Sequence, residues 1–194
     1  MARTKNFNKE KILDKAVELF WTKGYNATSA NDLVENLGLS RSSLYDTYGD
    51  KRTLFVTSLK RYRSEIVNKM LLLIENSTDI KKTIQEIFKL AIEQDMHSKI
   101  SKGCFMVNSA IELSTSDEEI AAIILANQND IVAAFEIAII KGQNLGQITT
   151  NFNANHLANF LYNSISGIRV AIKYNKNLDI INDVVKVNLA ILNQ

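Results

Sequence analysis

The sequence predicts an all-α protein, on three observations. Its 194 residues contain no proline, so no helix is interrupted by a missing amide donor. Alternation of apolar and polar residues is scarce, whereas apolar residues recur three and four positions apart along most of the chain, the spacing of a helix face. Serine, asparagine and aspartate, the residues that cap helices, stand ahead of these periodic stretches.

The pattern divides into about nine helices. The first runs from Lys9 to Lys23, with Ile12, Leu13, Ala16, Leu19 and Phe20 at helical spacing, and Gly24 ends it. Thr28 and Ser29 are placed to cap a second, short helix with Leu33, Val34 and Leu37 on its apolar side. Gly38 supplies the positive φ that stops this helix, and Leu39 turns back into the core. Ser40 caps a third helix, which buries Leu44 and leaves Arg41, Ser42, Ser43, Tyr45, Asp46 and Thr47 largely free.

Asp50 caps a long fourth helix with a stripe of Leu54, Phe55, Leu59, Tyr62, Ile66, Met70 and Leu73. After a turn at residues 76–79, Asp79 caps a fifth helix carrying Ile80, Ile84, Ile87, Phe88 and Ala91 on one side. His97 to Gly103 reads as a loop, and Cys104 to Leu113 as a short apolar helix. Ser116 to Glu119 resembles a capping box opening a seventh helix to about Asn144, with Gly142 and Gly146 at its end. Asn153 caps an eighth helix through Tyr174, and Asp179 begins a ninth through Ile191. No repeat or low-complexity linker separates them.

A chain of this length suits one or two domains and buries a real core. No apolar run reaches the ~20 residues of a membrane span, and no secretory signal opens the chain, so no membrane partner is expected. The single cysteine excludes an internal disulfide and suits a reducing cytoplasm. A net charge of +2 conceals an asymmetry: residues 1–63 hold 12 basic and 7 acidic side chains, residues 64–194 hold 11 and 14. The basic end is the expected nucleic-acid end, and Arg3 and Lys5 lie in a polar arm that either reaches phosphates or is disordered. His97 and His156 are far apart, no metal-ligand spacing or phosphate loop occurs, and no nucleophile has an evident base. Neither an enzyme nor a metal or cofactor site is expected.

Residues 29–48 therefore read as a helix-turn-helix: two short helices around a tight turn, the second with a free polar face suited to a DNA major groove. Lys11 to Ala16, Leu19-Phe20, Lys23-Gly24-Tyr25, Ala27-Thr28-Ser29, Asp32-Leu33, Leu37 to Ser40, Ser43-Leu44-Tyr45, Tyr48, Lys51 and Leu54-Phe55 follow in order. Over this first third the chain resembles the amino-terminal domain of the tetracycline-repressor-like (TetR) family of bacterial transcriptional regulators. Asp46-Thr47 stands where many members carry aromatic residues or histidine, and Gly49-Asp50 where a Pro-Ser or Lys-Asn pair is common. Both departures touch contact detail.

The resemblance implies a DNA-binding domain over residues 6–66 and an effector-binding and dimerisation domain over 67–194. The implied protein is a homodimer on a palindromic double-stranded DNA operator, most often a repressor released by a small molecule. By position, Asn31, Arg41, Ser43 and Thr47 become base readers and Thr28, Ser42, Tyr45, Tyr48 and Lys51 phosphate contacts. The chemistry agrees, since Arg pairs with guanine and Asn with adenine, while hydroxyls and Lys suit phosphate. Asp46 repels phosphate, and so either meets a cytosine amino group or orients Arg41 or Lys51. Packing is the competing role for Tyr45 and Tyr48.

In the second domain the family encloses a ligand pocket. Met70, Phe88, Phe105 and Phe135 are candidate lining residues, with Met96, Met106, Phe160 and Tyr162 on the same apolar stripes. Each taken singly reads more readily as ordinary core than as a ligand contact. The segment Gly103 to Asn108 resembles one branch of the family in which a cysteine senses electrophiles or oxidants. Cys104 in a first helical turn, near Lys102 and either Lys99 or His97, would have a lowered thiol pKa, whereas a small buried hydrophobe is the plainer role. In the family the last two helices form the dimer interface. Ser164, Gly167 and Ala171, flanked by Leu157, Phe160, Leu161, Ile165 and Ile168, give the eighth helix a face for it. A non-sensory DNA-bridging protein is the rival reading, needing the same basic domain and no pocket.

Overall fold

The computed structural model describes residues 8–96 and 100–193. The expected arm with Arg3 and Lys5, and also His97 and Lys99, lie outside them, and Met96 is described for its backbone alone. Nine helices form among the described residues: α1 (Lys9–Lys23), α2 (Ala30–Leu37), α3 (Arg41–Tyr48), α4 (Lys51–Glu75), α5 (Ile80–Met96), α6 (Phe105–Leu113), α7 (Glu118–Asn144), α8 (Ala154–Ala171) and α9 (Leu178–Ala190).

Side-chain caps set most of the starts. Asn8 accepts from the amides of Glu10 and Lys11, Ser40 from Ser43, Asp50 from Thr53 and Asp117 from Ile120. Ser29 and Asp32 form a reciprocal capping box on α2. The Asp32 carboxyl is held far below the usual carboxylate range, first by Lys23 at 2.6 Å and then by Ser29. Three expected boundaries change. The cap of α9 is Asn177, not Asp179; α8 stops at Ala171, and residues to Tyr174 form a turn; and Cys104 is the N-cap of α6 instead of a first-turn residue. Gly142 lies inside α7, where an added Cβ would stand 2.6 Å from Ile148, so close approach and not helix termination explains it.

Two apolar cores share α4. The first packs α1–α3 and the first half of α4 around Phe20, Leu33, Leu37, Leu44 and Phe55. It also recruits Phe105, Met106 and Leu113 of α6 and Ile120 and Ile123 of α7. Aromatic rings run through it: Phe55 stands edge-on to Phe20 at 5.1 Å and to Phe105 at 5.6 Å, and Tyr62 edge-on to Phe105 at 5.6 Å. The second core joins the far half of α4 with α5, α7, α8 and α9 around Met70, Ile84, Phe88, Phe135, Leu157, Leu161 and Ile168.

No apolar run of about 20 residues occurs, but α7 as a whole has the length and mean composition of a membrane span among the described helices. Its apolarity has a packing cause, because α7 contacts α4, α5, α6 and α8. Asn127 lies buried in that helix, and Asp130 is paired with Arg63 at 2.7 Å.

Candidate nucleic-acid interface and ligand cavity

The helix-turn-helix is held from behind by Leu33, Leu37 and Leu44, all buried, so its outer face is polar. Asn31, Arg41 and Ser42 are exposed on that face, and Ser43, Tyr45, Thr47 and Lys51 are half-buried. The Lys51 ammonium lies 4.3 Å from the centroid of the Tyr25 ring, which steadies the long side chain at the mouth of α4. Ser40 donates to the hydroxyl of Ser43 at 2.9 Å, and Thr47 donates back to the Ser43 carbonyl at 2.7 Å. Asp46 is exposed and pairs with neither Arg41 nor Lys51 among the described residues.

Two expected phosphate contacts are corrected. Thr28 is fully buried, and its hydroxyl donates to the Gly24 carbonyl at 2.6 Å, so it is a structural residue of the α1–α2 turn. Tyr48 donates its one proton to the Lys9 carbonyl at 2.8 Å, and burial raises its pKa. It ties α3 to the start of α1 and has no donor left for phosphate.

In the other half, a cavity of about 560 Å³ opens between α4, α5, α6, α7 and α8. Of the expected lining residues, Met70, Phe135 and Cys104 border it, as do Met106 and Tyr162. Phe88 and Phe105 do not: both are buried, Phe88 in the second core and Phe105 in the first. Phe160 points outward and is exposed.

Beyond Cys104 and Tyr162, the polar lining is made by residues that sequence reasoning did not single out for it. Tyr62 on α4 is buried and donates to the Cys104 sulfur at 3.9 Å, a weak bond. Burial, with the nearby Cys104 as a second cause, pushes its phenol far up, so it remains protonated. Asn127 on α7 is only 3% exposed, and its side-chain oxygen has no hydrogen-bond partner among the described residues. Arg169 on α8 donates to the Gly103 carbonyl at 3.0 Å, which fixes the loop ahead of α6. Lys102, expected to charge the surroundings of Cys104, instead pairs with Glu18 at 2.8 Å and covers the Trp21 ring at 4.3 Å.

Several contacts join the cavity helices to the helix-turn-helix. Glu112, near the end of α6, accepts from the backbone amides of Tyr25 at 3.0 Å and Asn26 at 2.7 Å. Arg52 at the start of α4 forms two 2.9 Å bonds to Asp117 and one ion pair of 2.9 Å to Glu119, so α7 starts against the DNA-binding domain.

The expected dimer face divides in two. Leu157, Leu161 and Ile168 are buried in their own subunit, which corrects their assignment as interface residues. Phe160, Gly167 and Val170 are exposed, and Ser164 and Ala171 are half-buried. Nothing lies within 4 Å of a Cβ added to Gly167. On α9, Ile180, Val184 and Val187 continue the apolar surface, Val187 at 72% exposure.

A helix-turn-helix fused through one continuous helix to an all-helical body with a ligand-sized cavity defines a DNA-binding transcriptional regulator, not an enzyme. Residues 12–57 match the bacterial regulatory proteins of the tetR family, and residues 74–186 match the tetracyclin repressor-like C-terminal domain. The chain is 31% identical over 195 residues to the uncharacterized HTH-type transcriptional regulator YezE of Bacillus subtilis, covering 99% of this chain and 100% of that one. It is 29% identical to the HTH-type transcriptional repressor ComR of Escherichia coli, over 91% of this chain and 85% of ComR. Among solved structures, a cysteine mutant of the TetR family regulator CifR, complexed with 26-base-pair operator DNA, superposes with a TM-score of 0.85 at 21% identity, covering 97% and 98% of the two chains. The reduced form of Escherichia coli NemR superposes with a TM-score of 0.86 at 16% identity, covering 94% and 95%. The protein belongs to the TetR family of transcriptional regulators.

Proposed function

We propose that the protein is a homodimeric repressor, held on a palindromic double-stranded DNA operator and released by a small molecule that fills the cavity. One observation carries the reading: α4 begins beside the recognition helix and lines the cavity further on, at Tyr62, Ile66, Lys69, Met70 and Leu73. The description of ComR as a repressor and the operator complex of CifR support the direction of control and the target. Work on the chromosome places the protein in the cytoplasm. A DNA-bridging protein without a sensor has no use for such a cavity.

In this mechanism Asn31, Arg41, Ser43 and Thr47 face base edges, and Ser42, Tyr45 and Lys51 hold phosphates. Exposed Asp46 meets a cytosine amino group. The stripes on α8 and α9 pair two subunits, and two-fold symmetry sets two recognition helices about one DNA turn apart. A ligand displaces α4 and the start of α6, and Glu112 and Arg52 carry that shift to the helix-turn-helix. Footprinting will show a symmetric site with two half-sites, and the separation of paired recognition helices will differ between operator-bound and ligand-bound crystals. Protection of one unsymmetrical half-site by a monomer would overturn the reading.

Arg41→Ala will weaken specific binding by about 1–3 kcal/mol and relax preference at one base position per half-site. Lys51→Ala will weaken binding to all sequences alike and reduce the salt dependence. Fluorescence anisotropy on operator and scrambled DNA separates the two. The same uniform loss from both variants would remove the division into reader and anchor.

A second reading, electrophile sensing, is favoured by one observation: the half-buried Cys104 borders the cavity. Under it, N-ethylmaleimide releases operator from the wild type and not from Cys104→Ser. Release from both, or from neither, removes this reading.

A further inference from the structure

We infer that the cavity takes an amphipathic carboxylate, with its hydrocarbon part inside and its acid group at the mouth against Lys69. The inference rests on the effector reading above and names the chemistry of the molecule that would fill the site. Most of the wall is hydrocarbon, from residues such as Ile66, Leu73, Ile87 and Ile131. Such a wall rewards apolar surface, and its few polar groups decide which molecule is held.

Exposure marks the mouth. Among the described lining residues only Lys69 on α4 and Leu90 on α5 are exposed, whereas their neighbours Met70 and Ala91 are buried. Lys69 therefore stands at the edge of the α4 stripe, where a lysine lays its methylenes along apolar surface and keeps its ammonium in water. That ammonium makes no ion pair or hydrogen bond among the described residues. The deeper polar groups are engaged or covered. The Tyr62 hydroxyl bonds the Cys104 sulfur and the Phe105 amide, and Tyr162 bonds Ser166. Arg169 holds the Gly103 carbonyl, and the Asn127 oxygen is itself buried. Glu93, the acid of the described lining, is 45% exposed and pairs with Lys89 at 3.8 Å. A carboxylate at the mouth pairs with Lys69 while keeping part of its hydration, so little desolvation opposes the pair. An ammonium there meets Lys69 as a like charge and finds Glu93 already paired. A neutral end group gains from neither.

The test uses the full-length protein at neutral pH and three probes that share one alkyl chain: decanoate, 1-decanol and decylamine. Affinity is read by calorimetry and operator release by fluorescence anisotropy. The wild type will bind decanoate about threefold more tightly than 1-decanol and about tenfold more tightly than decylamine. Added salt will shrink both ratios. Lys69→Met keeps the apolar stem and removes the charge, so decanoate will fall to the level of 1-decanol, whose own binding stays unchanged. Lys69→Glu will invert the order of decanoate and decylamine. Equal or tighter binding of 1-decanol or decylamine by the wild type would overturn the inference. So would a decanoate preference that survives either substitution, or binding of none of the three. Preferred binding of decanoate without operator release supports the ligand class while sinking the effector reading. Operator release by decylamine, bound as tightly as decanoate, does the reverse.

Discussion

A carboxylate placed on the exposed stripe of α9, as in Val187→Asp, will separate the subunits, leave each folded, and lower operator affinity by about 10²–10⁴-fold. Val187 is 72% exposed and shares a face with Ile180 and Val184, so the substitution disturbs no packing within the subunit. In the proposed dimer that face is covered, and an unpaired charge buried there is strongly unfavourable. Much of the affinity for a two-part site comes from linkage, because the second recognition helix binds at high effective concentration once the first is seated. A monomer loses that advantage while every base contact stays available. Sedimentation and operator titration on the same samples check both parts. A variant that remains dimeric, or a monomer that keeps full affinity, would remove α9 from the interface.

Phe105→Ala will cost about 3–5 kcal/mol of stability, the range for removing a buried aromatic ring. Its ring is 1% exposed and stands edge-on to both Phe55 and Tyr62 at 5.6 Å. Phe105 sits on α6 yet belongs to the core of the helix-turn-helix, so its loss also loosens the joint between the two cores. Calorimetry will show the amino-terminal part melting earlier, with the single transition broadened or split. A loss below about 1 kcal/mol, together with an altered ligand response, would return Phe105 to the role of ligand contact.

The helices were readable where the information is local. Ser29, Ser40 and Asp50 are capping residues ahead of periodic apolar runs, and each caps the helix that follows, whereas the box expected over Ser116 to Glu119 reduces to a cap by Asp117. Thr28 defeated the same logic because two cap-forming residues stand side by side and only packing decides which turns inward. The direction of each apolar face was less legible. The eighth helix carries large apolar residues on more than one side, so nothing local separates buried Leu157, Leu161 and Ile168 from exposed Phe160 and Val170. Phe88 and Phe135 lie on similar stripes, and only the crossing of α5 and α7 puts one at the cavity. Asn127 sits beside Gln128 and Asn129 in the sequence, and its burial follows from the helices around it. The Glu112 contact spans 87 residues to Tyr25 and leaves no pattern at either end.

The partners of Glu112 are peptide groups, not side chains. Every residue except proline offers the same amide, so positions 25 and 26 are free to vary without undoing this contact. Gly24 is not, because it has a φ of 85° and an added Cβ would stand 3.1 Å from the Glu112 carboxylate. Mutational drift in the reading head can therefore proceed toward new operators while the fastening to the carboxy-terminal half through Glu112 stays intact. Inheritance of one half with a changed partner becomes feasible where Glu112 and Gly24 are retained together with the Arg52 pairs to Asp117 and Glu119 and the packing of Phe105.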